Sequence, residues 1–395
     1  MESLTGAFGT RVSTSASPLL FVNAALLCPE ERMLHPGGWL RVEQGRVAAL
    51  GRGRPAPDKT AVVIDCGGRT VMPGLVDCHV VITAPPDVPP DPVLLARLRR
   101  MLASGFTTAR VEGNAGWWLR EAIERRLLVG PRLLASGAPV SVGRSRTRFR
   151  ADAALHNAHR CACCWSTAGL DGAHPVVADA RQEVRTRIWS GADHLLLDCG
   201  PAGQVGAFAN AVATLAAAAI SAAAHEAACH GRPVVAIAHS VEAIMCTVNA
   251  GARAIIHGTA LDQAAAAHMA RQASVLIAAA GDPSDDWPTP AFRVARRAGV
   301  GIAFGTGARW ESGGGAAEAM IAHARYEAPI EIIRAATTVA AKALRMEGRV
   351  GTLSPGAFAD LLIVEGDPTQ DLGLLGGSNG TIRAVFKDGV HIVAS

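Results

Sequence analysis

Two kinds of hydrophobic patterning divide the chain. Up to Pro73, short β-prone runs such as "LLFVNAALLC", "GGWLRVEQGRVAALG" and "KTAVVIDCGGRTVMPG" are punctuated by Gly and Pro. The tail repeats the pattern in "VGTLSPGAFADLLIVEGD" and "TIRAVFKDGVHIVAS". Residues 1–73 and 351–395 therefore read as two parts of one small β unit, a sandwich split in sequence by residues 74–350. In that middle part short apolar runs alternate with amphipathic stretches such as "DPVLLARLRRMLASG" and "WWLREAIERRLLVG". The strand candidates are Leu75–Ile82, Thr107–Val111, Arg132–Ser136, His194–Asp198, Val234–His239, Ala254–His257, Val275–Ala278 and Gly301–Gly305. Eight strands alternating with helices predict an α/β fold, a (β/α)8 TIM-like barrel. The segment from Gly137 to Pro175 lacks periodicity and follows the third strand, which places it as a lid over the barrel mouth.

Composition narrows the function classes. A net charge of +4 over 395 residues is small, and no basic run carries interleaved aromatics, so nucleic acid is not an expected partner. The Ala-rich run from Ala209 to Ala224 is broken by Asn210, Thr214 and Ser221, which predicts a buried helix and not a membrane span. The start "MESLTGAFGTRVSTSASPLL" lacks the charged-then-apolar order of a secretion signal. Together with nine cysteines, an odd number, this points to reduced thiols and a cytoplasmic location. The abundance of Ala, Gly and Arg is associated with bacterial specialised metabolism.

The segments "VIDCGGRTVMPGLVDCH", "GFTTAR", "VGPRLLASG", "GADHLLLD", "NAGARAIIHGTALD", "AGVGIAFGTG" and "GTLSPGAFADLLIVEGDP" together resemble the amidohydrolase superfamily, in its imidazolonepropionase-like and prolidase-like branch. The resemblance runs nearly end to end. It implies a barrel flanked by a sandwich from both termini, a small-molecule substrate and a homo-oligomer. It also implies one or two metal ions in the barrel mouth, held by His-x-His on the first strand, a carboxylated Lys on the fourth, His on the fifth and sixth, and Asp on the eighth.

Laid onto this chain, most of that ligand set is replaced. His79 matches the first His, and the second falls on Val81. The Lys position falls on Leu196, the fifth-strand His on Ile237 and the Asp on Gly307, while the sixth-strand His remains as His257. Val, Leu, Ile and Gly side chains offer no lone pair to an ion. Losing the Asp together with its ion partners is physically coherent, because a buried carboxylate without a counter-charge is costly. The expectation is a mouth with no metal and no cofactor.

Polar groups still flank that apolar floor. Asp198 lies two residues after Leu196, and His239 two after Ile237, so each shares the inward face of its strand. Arg110 and Glu112 end the second strand, on a face the sequence leaves undecided. Three readings follow. In the first, His79, Asp198, His239 and His257 perform metal-independent acid–base chemistry, a cyclisation, elimination, isomerisation or decarboxylation. Substrate would then touch Arg110, Glu112, Val81, Leu196, Ile237, Gly307 and Trp287. In the second, His79, His239 and His257 hold one relocated zinc and the chain hydrolyses C–N bonds. In the third, the chain is a scaffold without turnover that binds a ligand or pairs with an active partner subunit. For each residue the bland alternative is a hydrogen-bonded filler, or for Asp198 a cap.

Other clusters carry less. His156, His159, Cys161, Cys163 and Cys164 lie close in sequence, but the second Cys pair of a structural zinc site is absent, so a lid with incidental thiols is the default. "SVGRSRTRFR", from Ser141 to Arg150, reads as a solvated edge or an anion-attracting one. "GDPSDDWPTP", with Asp282, Asp285, Asp286 and Trp287, reads as loop chemistry or a mouth lining.

Overall fold

A computed structural model describes residues 17–82, 91–113, 115–141, 175–199, 209–279, 289–307, 316–376 and 381–392. Both ends of the chain enter one eight-stranded sheet: β1 (Leu19–Cys28), β2 (Met33–Glu43), β3 (Arg46–Arg52), β4 (Val62–Asp65), β5 (Thr70–Pro73), β15 (Leu361–Val364), β16 (Ile382–Lys387) and β17 (Val390–Ile392). β5 is the seam, parallel to β1 on one side and antiparallel to β15 on the other. The sheet folds over its own core, where Phe21 meets Phe386 edge-on at 5.1 Å and Val47 N donates to Ala357 O at 2.9 Å.

The intervening chain forms parallel strands β6 (Leu75–Val81), β7 (Phe106–Glu112), β8 (Arg132–Gly137), β9 (Val140–Ser141), β10 (Leu195–Asp198), β11 (Val234–Ala238), β12 (Ala254–His257), β13 (Val275–Ala279) and β14 (Gly301–Gly305). They are ordered β6-β7-β8 and β9 through β14. Within each run neighbouring strands pair in parallel, and helices make the crossovers; α1 (Pro92–Ala103) starts at Asp91, whose side chain accepts from Val93 N, and carries Pro at its first turn. Two junctions close the circle. Asp193 N donates to Ala135 O at 2.9 Å, and Asp193 Oδ2 accepts from Ala135 N at 2.8 Å, joining β8 to β10. Val80 bridges Gly307, whose N–H donates to His79 O at 2.7 Å, joining β14 to β6. The fold is the expected TIM-like barrel with its terminal β-sandwich.

The barrel interior is filled, not hollow. Val76, Cys78, Leu196, Val235, Ala254, Ile256, Ile277 and Ala303 form one apolar cluster with Ala340, Ala341 and Leu344 of the segment at and after Thr338–Ala343. A second cluster lies between the outer strand faces and the helices, for example Leu195, Ile255 and Leu276 against Ala219 and Met269. The inward–outward alternation that located the strands is thus the alternation between these two cores.

Candidate active site

The polar residues singled out from the sequence gather at the C-terminal rim of the barrel, where short strand ends meet the loops. His79 lies on β6 and is 4% exposed. It is fixed by backbone: its N–H donates to Asp77 Oδ1 at 3.0 Å and its carbonyl accepts from Gly307. A Cβ at Gly305 would stand 2.8 Å from the His79 Cβ, so the absence of a side chain there makes room for the ring.

Glu112 ends β7, opposite Val81 in register, and its Oε1 lies 3.7 Å from His79 Nε2. This answers the undecided face: Arg110 and Glu112 both point inward. The contact is one that sequence alone does not give, because β6 and β7 slip in register between Asp77 and Val80. Two atoms of the pair, His79 Nδ1 and Glu112 Oε2, are buried without a hydrogen-bond partner.

The electrostatics bring the two groups towards each other. Burial first, then the charges of Arg110 and of a protonated His257, push the His79 imidazole well below its ordinary value. Burial raises the Glu112 carboxyl, Arg110 opposes that, and Asp198 adds to it. A carboxyl moved up and an imidazole moved down narrow the ordinary gap between the two groups.

Arg110 takes a different place from the substrate lining expected of it. Two residues below Glu112 on the inward face, it is 2% exposed and lies beneath the pair. Its Nε donates to Cys78 O, and its Nη1 approaches His194 Nε2 at 3.4 Å. His194, which precedes β10 and is also buried, is held neutral by burial and by Arg110. Sequence reasoning gave His194 no role; the signal was its inward spacing, two residues before Leu196.

The remaining histidines form a second group beside the first. His257 ends β12 with a left-handed φ of 67°, which turns its ring away from strict alternation. That ring lies 5.9 Å from His79 and stacks on His239 at 5.3 Å and 15°. His239 Nδ1 is 2.9 Å from Thr259 Oγ1, which fixes the imidazole. Burial and His239 lower the His257 value. Of the positions to which the resemblance assigns metal ligands, Leu196 is in the interior cluster, Ile237 packs against it, and Gly307 has φ 61° and supplies only backbone. Trp287, with Asp282, Asp285 and Asp286, lies outside the described residues, as do the cysteine cluster from Cys161 to Cys164, His156, His159 and the arginines up to Arg150.

Among the described residues no helix is long and apolar enough to cross a membrane. A closed parallel barrel with polar groups on its C-terminal rim, flanked by a sheet from both chain ends, defines a class of barrel enzymes. Residues 70–392 match the model of the amidohydrolase family, and the chain belongs to that family. An amidohydrolase crystal structure aligns at 27% identity over 95% of this chain and 99% of its own, with a TM-score of 0.74. A prolidase complexed with N-methylphosphonate-L-proline aligns at 25% identity over 95% and 99%, with a TM-score of 0.74. The likeness to A. niger ochratoxinase, 21% identical over 96% of both chains at a TM-score of 0.73, concerns the fold alone. None of the curated proteins matches this chain.

Proposed function

We propose that this amidohydrolase-fold enzyme performs metal-independent proton-transfer chemistry on a small organic molecule, with His79 and Glu112 as the reacting pair. The carrying observation is their 3.7 Å contact at the C-terminal rim of the barrel, with one unsatisfied buried atom on each partner. Neutral His79 takes a proton from substrate, and protonated Glu112 returns one to another atom of it. Such a step serves cyclisation, elimination, isomerisation or decarboxylation. Burial raises the Glu112 carboxyl, and the charge of Asp198 adds to that. His257 and His239 line the entrance. Val81, Leu196 and Ile237 exclude water, which strengthens every charge interaction within.

The family's two-ion centre does not fit these residues. A zinc ion takes three or four donors. The replaced positions offer none, and the rings of His239 and His257 oppose one another by their faces at 15°. That geometry also weighs against one zinc shared by His79, His239 and His257. The cytoplasmic location and homo-oligomeric state remain proposals of the same reading.

The test is turnover of a panel of N-acyl amino acids, ureido acids and lactams by chelator-treated protein, assayed in both directions. The expected result is turnover unchanged by the chelator and lowered by about a hundred-fold or more in His79→Gln and Glu112→Gln. Turnover that requires added zinc or manganese, or that survives undiminished in both variants, overturns the proposal.

A further inference from the structure

Far from the barrel mouth, the hairpin joining β1 to β2 gathers three donor side chains that the proposed reaction does not use. In register, Leu26 faces His35, Leu27 faces Leu34 and Cys28 faces Met33. Residues two apart on a strand share a face, so His35 lies diagonally across from Cys28 on the same side of the sheet. The turn brings the third group over them. Glu31 N donates to Cys28 O at 3.1 Å, and Arg32 N to Pro29 O at 3.3 Å. Glu31 Oε2 then lies 2.7 Å from His35 Nε2. The Cys28 sulfur, a Glu31 oxygen and a His35 nitrogen all fall within 4.8 Å of one another. Among the described residues this is the group of three or more such donors that comes so close together.

We infer that Cys28, Glu31 and His35 form a binding site for a single divalent transition-metal ion of the zinc class. Zinc bonds of about 2.0–2.3 Å in a tetrahedron set donors roughly 3.3–3.8 Å apart, which small side-chain rotations reach from this arrangement. One sulfur, one nitrogen and one oxygen suit zinc, and the sulfur disfavours magnesium and calcium. Three protein donors leave the fourth position to water or to neighbouring Glu30.

Glu30 and Glu31 are negative neighbours of the Cys28 sulfur, and Arg52 is a positive one. Arg52 supplies the positive charge in the ion-free hairpin, where its guanidinium touches His35 Nδ1. An ion on Nε2 requires the proton on Nδ1, so Arg52 gives way, and its exposed side chain has open solvent to move into. Binding therefore exchanges one local cation for another. The site also bears on how the sheet meets the barrel. Arg32 Nε donates to Glu331 Oε1 at 2.6 Å on the helix Pro329–Ala335, so an ion that orders the turn steadies that junction.

The test is titration of the metal-free full chain with cobalt(II), read by the thiolate-to-cobalt charge-transfer absorption, and with zinc, read by thermal melting. The expected result is one equivalent with the thiolate band and a raised Tm. The band is lost in Cys28→Ser and Cys28→Ala, and affinity falls about ten-fold or more in His35→Gln. The band is unchanged in His79→Gln, which separates this hairpin from the barrel mouth. Absence of the band in the unaltered protein, its persistence in both Cys28 variants, or its loss in His79→Gln overturns the inference. The outcome is independent of the proposed reaction: zinc found by elemental analysis and placed at Cys28 says nothing against metal-free chemistry at His79.

Discussion

Gly305 admits His79 to the barrel wall. A methyl group there meets the His79 Cβ at 2.8 Å and Ile277 Cγ2 at 3.1 Å, so the ring must shift by a few tenths of an ångström. Gly305→Ala is expected to lower kcat by about a hundred-fold while the far-ultraviolet spectrum is kept, because catalytic pairs tolerate little misplacement. At the same scale, the reacting pair predicts a bell-shaped pH–rate profile. The acid limb reports protonation of His79 and lies below the ordinary imidazole range, since burial lowers that group. The alkaline limb reports loss of the Glu112 proton and lies above the ordinary carboxyl range. Glu112→Gln is expected to cost roughly 10²–10⁴ in rate and to remove the alkaline limb alone. These residues differed in how legible they were. His79, Asp198, His239 and Val81 could be placed by counting along strands. Glu112 could not, because a register slip and not a spacing decides its partner. The φ of 67° at His257 is likewise invisible to counting.

Between strands, Asp77 is the tie that holds β6 to β14. Its Oδ1 accepts from His79 N and Thr306 N, and its Oδ2 accepts from the Thr306 hydroxyl at 2.7 Å. Burial raises this carboxyl from 3.8 to about 6, and the three hydrogen bonds hold it from going higher. The stabilisation from a raised carboxyl is complete below its unfolded value and is lost as pH rises through about 6. Ionising it in the folded state thus costs on the order of 3 kcal/mol at neutral pH. Asn keeps one acceptor oxygen and can donate to Thr306. Asp77→Asn is therefore expected to gain stability relative to the unaltered chain as pH rises from 4 to 7, measured by urea unfolding at each pH. A constant difference across that range would contradict the account. The strands themselves were almost fully legible: Ala254–His257 and Gly301–Gly305 match to the residue, and the others shift by one residue at an end, or in the second strand at both ends. The apolar alternation that marks them is the physical cause of their burial, so pattern and structure report the same fact. The short strand Val140–Ser141 was not legible, since two residues carry no period.

For the molecule as a whole, Arg132 is the junction between barrel and sheet. It stands at the start of β8, donates from Nη2 to Asp388 Oδ1 at 2.6 Å and to Asp360 at 3.2 Å, and lies 3.6 Å over the Phe358 ring. Asp360 is 2% exposed and Arg132 is its close counter-charge. Arg132→Ala is expected to destabilise the protein by about 3–5 kcal/mol, because it leaves a buried carboxylate uncompensated. Arg132→Ala combined with Asp360→Asn should recover much of that loss in denaturant melts. The split of the sheet between the two ends was legible, because both ends carry the same turn-punctuated pattern. The Arg132 junction was not, since residues 228 positions apart share no local signature.

The seam at β5 sets the order of events on the ribosome. Thr70–Pro73 pairs with Leu361–Val364. While the barrel is being made, the outer hydrogen-bonding edge of β5 has no strand beside it. Nearly three hundred residues must be synthesised before the missing neighbour emerges. Linking the segment after Ile392 to the segment before Leu19 and reopening the chain within the barrel would place both halves of the sheet next to each other in synthesis, and such a circular permutant is expected to aggregate less on refolding than the unaltered chain.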